Sequence, residues 1–178
     1  GDLIVLAESP VAISQGRAVL SSAVKSSILA KFLSKFPHKD GSLATPAAMQ
    51  VAIDEAGPLR VLLGAGAAAL GKLLGRKGDF YRVAGRDLAK IDDIAGTLPP
   101  FDRYIVPGPK NPQALSDEMY SLFGITGVIA DINDIKCVDI LALSGSFPEE
   151  QVIQILRDNP LGNDDQQTPL MVLKRLVN

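Results

Sequence analysis

Asp131, Asn133 and Asp134 place two carboxylates and an amide within four residues, directly after the apolar run Gly127-Val-Ile-Ala130. Oxygen donors in that density suit a hard cation such as magnesium or manganese, which prefers carboxylate, carbonyl and water ligands. In an extended segment Asp131 and Asn133 share one face, because side chains alternate, and Asp134 begins the turn. The competing reading is an Asx turn, in which the same side chains bond the nearby backbone and hold no ion. The apolar run reads as a buried strand, and strand ends are common places for ligands.

The rest of the chain narrows the chemistry by what it lacks. One cysteine, Cys137, excludes an intramolecular disulfide and a thiolate zinc cage. The one histidine, His38, stands in the loop-like stretch Lys35-Phe-Pro-His-Lys39 and reads as a surface residue. The two lie far apart in sequence, so neither a Cys-His pair nor a Ser-His-Asp triad is expected. Catalysis would fall to carboxylates, Lys, Arg and a metal.

Two nucleotide motifs overlap in the glycine-rich middle. Gly66-Ala-Ala-Ala-Leu-Gly71-Lys72-Leu73 comes close to a phosphate-cradling P-loop, with Leu73 where the magnesium-binding hydroxyl belongs. Gly64-Ala-Gly66-Ala-Ala-Ala69 imitates a dinucleotide fingerprint, and Asp87 stands about 20 residues on, where an acid would meet a ribose. Small residues generate both patterns cheaply. The favoured reading is a tightly packed helix or turn whose glycines and alanines admit a neighbouring backbone. Lys72, Arg76 and Lys77 form a basic cluster, read as a solvated helix end, with phosphate contact as the alternative.

These residues need a scaffold. At 178 residues the chain is long enough for one domain with a real core. It is 47% hydrophobic and has no Trp, with a formal net charge of -2. No electrostatic footprint for nucleic acid or anionic membrane follows from that balance. The longest apolar stretch, Val61 to Leu70, is far shorter than the roughly 20 residues of a membrane span. A cytoplasmic location is the default expectation, although the chain begins without Met.

Strands are expected at Leu3–Ala7, Phe80–Ala84, Tyr104–Val106, Gly127–Ala130 and Val138–Leu143. Val11–Ile13 would extend the first of these or pair with it. Helices are expected at Ser26–Phe36, where Ile28, Leu29, Phe32, Leu33 and Phe36 share a face, and from Thr45-Pro46 to Gly57-Pro58. Two more span Pro112–Leu122 and the stretch from Phe147 to Leu156. Arg60–Leu63 begins either a strand or a helix running to Leu74, and Leu170–Val177 is either a last strand or a last helix. Strands alternating with helices predict an α/β (α+β) domain with a mixed sheet.

Several of these segments together resemble the coenzyme F-420 (deazaflavin) gamma-glutamyl ligases. The similarity is carried by Gly1-Asp-Leu-Ile-Val-Leu-Ala7 followed by Val11 and Gly16-Arg17, and by Ala84-Gly85-Arg86-Asp87. Tyr104-Ile-Val106, Pro112 to Gly124 and Val128-Ile-Ala-Asp131 follow the family's later strand-helix-strand-Asp order. The resemblance implies one gamma-glutamyl ligase-like domain over residues 1–178, lacking the family's opening segment and assembled as an intertwined homodimer. It further implies a ligase that uses GTP to activate a carboxylate as an acyl phosphate, which the amine of glutamate then attacks. Its partners would be glutamate and a phosphorylated acceptor, with magnesium or manganese neutralising phosphate charge.

Carried over, Asp87 and Asp131 would be metal ligands, joined by Asp134 from the acidic turn. Gly16 and Arg17 would lie near the nucleotide or substrate. The chain departs from the family at Ser9, Ala12, Leu88-Ala89-Lys90 and Ile132-Asn133-Asp134. Those departures frame the alternative of a non-catalytic nucleotide- or metal-binding regulatory domain that kept the fold.

Overall fold

Leu3-Ile-Val-Leu-Ala7 has the continuous apolar character of a strand covered on both faces, and it forms β1 (Leu3–Ala7), a central strand of a four-stranded sheet. The computed structural model describes residues 2–38, 41–92, 99–132, 137–162 and 168–174. β4 (Thr126–Ile132) runs parallel to β1, with Leu3 opposite Thr126 and Ala7 opposite Ala130. β5 (Val138–Leu143) and β6 (Leu170–Leu173) close the two edges in antiparallel pairing. The fold is thus mixed α and β with a mixed sheet, as its alternating patterns predict. The last segment resolves as a strand.

The chain divides into two compact units. Gly1–Gly16 and Pro109–Asn178 build the sheet unit, and Arg17–Gly108 is inserted between them in chain order.

In the sheet unit, one face of β1 and β4 buries Leu3, Val5, Val128 and Ala130 against Val152 and Leu156 of α7 (Glu149–Leu156). The other face joins Ile129 and Ala142 to Val11 of α1 (Glu8–Ser14) and Leu115 of α6 (Pro112–Phe123). Val11–Ile13 therefore does not extend or pair with β1. Pro10 lies in the first turn of α1, where its missing N–H breaks no helical bond, so the segment coils instead.

Gly127 anchors α6. The buried Ser116 hydroxyl donates to the Gly127 carbonyl at 2.7 Å, and the Gly127 N–H donates to Ser144 Oγ at 2.9 Å. A Cβ at Gly127 would stand 3.2 Å from Met119 Sδ and 3.3 Å from the Ser116 carbonyl. The helix can approach this closely because the strand has no side chain there. At the sheet edge, the Gln113 side-chain amide donates to the Leu143 carbonyl at 3.0 Å, giving β5 a substitute partner.

The inserted unit is mostly helical. β2 (Val19–Leu20) pairs antiparallel with β3 (Tyr104–Ile105), and α2 (Ile28–Leu33) precedes α3 (Pro46–Ala56). Thr45 caps α3 by accepting from the Ala48 N–H at 3.2 Å, with Pro46 at the first helical position. Gly57, at φ +84°, ends α3, and Pro58 opens α4 (Pro58–Leu73). Met49, Ala52 and Ile53 form the centre of this core with Leu33, Val61 and Ile105. Arg60–Leu63 is helical, the second of the two readings.

Phe80–Ala84 is not a strand but most of α5 (Asp79–Ala84). Its aromatic and β-branched residues favour extended chain, yet Phe80 and Ala84 point to the same core at helical spacing. Five residues are too few for the period to show in sequence.

Tyr81 packs partly buried against that core, and burial pushes its phenol above the usual value of 10.0. The folded state therefore keeps its proton to higher pH than the unfolded chain. That contribution is fully present below the unfolded value, about pH 10, and is lost as pH rises through the folded one. Above about pH 10 the wild type is expected to lose stability more steeply than Tyr81→Phe in urea titrations. Parallel pH profiles for the two proteins would remove Tyr81 as the cause.

Candidate metal and phosphate site

Because β1 and β4 are parallel, their carboxyl ends reach the same edge of the sheet, the side on which open α/β sheets bind ligands. Ala7 lies opposite Ala130, so the next residues, Glu8 and Asp131, leave the pair at the same level. Glu8 is buried at the start of α1, whereas Asp131 is exposed near the end of β4. Asp139 of β5 is the register partner of Asp131.

A bulge makes that pairing. Ile129 faces Ala142 while Ala130 faces Ile140, leaving Leu141 as the extra residue. Without the extra residue, Ile140 would oppose Asp131. Bulges commonly re-aim side chains beside functional sites. Facing side chains on neighbouring strands stand roughly 5 Å apart at Cβ. Carboxylates at facing positions offer oxygen ligands of the kind a divalent cation takes.

The other expected site residues fall as follows. Asp134, with Asn133, lies outside the described residues. Asp87 is exposed in the short 3-10 turn Arg86–Lys90 of the inserted unit, whereas Asp131 belongs to the sheet unit. Gly16 takes φ +73° in the turn after α1. Arg17 is largely buried: its Nε donates to the Gly108 carbonyl at 2.7 Å and its guanidinium pairs with Glu55 at 2.9 Å. An anion arriving at Arg17 has to compete with that carboxylate.

The glycine-rich motifs lie inside α4, where backbone N–H groups serve the helix and cannot form a phosphate loop. Their literal P-loop and dinucleotide readings are corrected accordingly. A Cβ at Gly64 would stand 2.7 Å from the Ala84 Cβ, and one at Gly71 would collide with the Asp79 carboxylate. These glycines admit α5, which is the packing reading. Gly75 then closes α4 at φ +69°, the Arg76 N–H donating to the Gly71 carbonyl at 2.7 Å. Arg76 and Arg82 both pair with Asp79, and Lys72, Arg76 and Lys77 form an exposed helix end.

Among the described residues, no three His, Cys, Asp or Glu side chains gather as a metal group. Magnesium, however, is often held by only one or two carboxylates together with water and substrate phosphates. Asp131 and Asp139 match that smaller requirement. Sequence reading missed Asp139 because it sits inside an apolar strand. The only available signal was its position across the hairpin from Asp131. No helix among the described residues is long and apolar enough to cross a membrane.

Compared with known proteins, the chain matches no family model and no curated relative.

Proposed function

We propose that this chain is a metal-dependent enzyme of the gamma-glutamyl ligase kind, with a divalent cation held at Asp131 and Asp139 and GTP as phosphoryl donor. The observation that supports the cation in this reading is the facing of the two aspartates at the carboxyl end of the parallel pair β1 and β4, and the ligase chemistry and GTP come from the resemblance. Bound there, magnesium or manganese would supply charge neutralisation for the phosphates. In the reaction, the γ-phosphoryl group passes from GTP to a substrate carboxylate oxygen and GDP leaves. The amine nitrogen of glutamate attacks the acyl carbon, inorganic phosphate departs, and the ammonium proton goes to solvent. The ligase-like fold over residues 1–178 and a homodimeric assembly belong to the same proposal.

A second reading has its own observation. Arg17 is already engaged by Glu55 and Gly108. That arrangement favours a metal- or nucleotide-binding domain without ligase chemistry.

Calorimetric titration of the full chain with manganese and then GTP tests both. Manganese binding is expected in the wild type and is expected to fall at least about tenfold in Asp131→Ala and Asp139→Ala. Nucleotide binding with turnover to GDP when glutamate is supplied together with phosphorylated carboxylate acceptors supports the enzyme, and binding without turnover across that acceptor set supports the second reading. No manganese binding by the wild type would sink the enzyme, and binding of neither manganese nor GTP would sink the second reading as well. Undiminished binding by the two variants would place the ion elsewhere.

A further inference from the structure

The apolar residues expected on one face of α2 are divided by the fold. Ala30 and Leu33 are buried in the core with α3 and Leu29 partly joins them, whereas Ile28, Phe32 and Phe36 are 88, 56 and 70% exposed. Spaced four apart, these three stand in line on the outward side. Phe36 lies just past the helix, where its N–H donates to the Leu33 carbonyl at 3.2 Å and carries the coil a little further. The rings of Phe32 and Phe36 meet edge to face with centroids 5.1 Å apart, forming one wedge. Single exposed apolar side chains are ordinary. This line is set apart by the charges beside it.

From Ser9 to Lys39 the sequence contains no Asp or Glu, while lysine recurs at positions 25, 31, 35 and 39. Lys25, Lys31 and Lys35 are exposed, and among the described residues none of them pairs with a carboxylate. The acids of α3, the helix on which α2 packs, are engaged elsewhere. Asp54 accepts from the Gln50 amide at 2.8 Å, and Glu55 holds Arg17 at 2.9 Å. Lys31 precedes Phe32 and Lys35 precedes Phe36, and their long stems let the ammonium groups reach out beside the wedge.

We propose that this face of the inserted unit docks on an anionic phospholipid surface. Ile28, Phe32 and Phe36 enter the interface, and Lys25, Lys31 and Lys35 contact the headgroup phosphates. Apolar insertion and attraction to anionic lipid are the two signals that together hold a protein on a membrane surface. A convex apolar line flanked by cations meets both needs and requires no preformed pocket in its partner. A single-stranded nucleic acid would meet the same lysines, but it also needs ring faces open for stacking. Here the two rings pack on each other, and no arginine stands between Lys25 and Lys39. The net charge of -2 averages this basic run away, which is why the whole-chain balance carries no membrane signal. The inference is independent of the ligase reading, since it uses no residue of the metal site.

Flotation of the full chain with vesicles of phosphatidylcholine and phosphatidylglycerol in equal parts is expected to carry it upward. Vesicles of phosphatidylcholine alone are expected to carry far less. Phe32→Ser combined with Phe36→Ser is expected to reduce binding at least about tenfold with an unchanged circular dichroism spectrum. Lys31→Gln with Lys35→Gln is expected to weaken it roughly fivefold per lysine. The same exchange at the exposed Lys72 and Lys77 is expected to change it less than about twofold. The chain has no Trp, so Phe36→Trp reports on its own surroundings, and its emission is expected to shift to the blue on the mixed vesicles. A wild type that does not float overturns the proposal. So does equal binding to both kinds of vesicle, binding that the serine pair retains, or an emission that vesicle binding leaves unmoved. If the chain ignores vesicles but retards single-stranded RNA through the same lysines, the face takes nucleic acid and the lipid proposal is refuted.

Discussion

Gly64→Val is expected to lower the unfolding free energy by about 2–3 kcal/mol, the usual scale for forcing volume into a packed interior. The first atom of the new side chain would stand 2.7 Å from the Ala84 Cβ and 3.1 Å from the Phe80 carbonyl oxygen. Neither neighbour is the movable end of a long side chain. Relief requires α5 to shift as a body, loosening Ala84 and Phe80 from the helical core. Gly64→Ala is expected to lose less, because alanine gains helix propensity and adds only the one atom. Urea denaturation gives the magnitude, and hydrogen exchange over α4 and α5 gives the location. An unchanged urea midpoint for the valine variant would contradict the close packing of these helices.

Leu156→Ala is expected to cost about 3 kcal/mol, within the usual range for emptying a fully buried leucine site. Leu156 has no exposed surface, and it packs with Val152, Leu3, Val5 and Val128 beneath the central strands. The loss combines transfer of the removed carbons with the cavity left behind, since strands on one side and helix on the other limit collapse. Leu156→Met, which nearly conserves volume, is expected to cost less than about 1.5 kcal/mol. Equal losses for alanine and methionine in denaturant titrations would point to backbone disruption instead of cavity formation.

The two substitutions also show which parts of the structure a sequence exposes. Leu3–Ala7 and Gly127–Ala130 were legible as strands because burial on both faces demands unbroken apolar runs. The start and stop of α3 were legible because Thr45, Pro46, Gly57 and Pro58 act through their own backbone chemistry. Phe80–Ala84 was misread because its helix is selected by the glycines of α4, and propensity alone points the other way.

The candidate site was only half legible. Asp131 announced itself at the end of an apolar strand, but its facing partner depends on one extra residue, Leu141, in the neighbouring strand. A slip of a single residue there changes the partner from carboxylate to isoleucine, and composition carries no trace of such a register. Arg17 likewise looked free for an anion, since Glu55 and Gly108 reach it only through folding.

Arg17 and Gly108 are also the first and last residues of the inserted unit, and they are hydrogen-bonded to each other. Just outside them, the Gln15 side-chain amide exchanges two hydrogen bonds with the Lys110 backbone, at 3.0 and 2.8 Å. A chain that leaves a sheet and returns to nearly the same point places little geometric demand on its host. Such an insertion is modular in the evolutionary sense: it can be acquired, exchanged or shortened between two fixed posts while the strands on either side keep their register. The ninety or so residues between them are thus a region in which new surfaces can arise without rebuilding the sheet that holds Asp131.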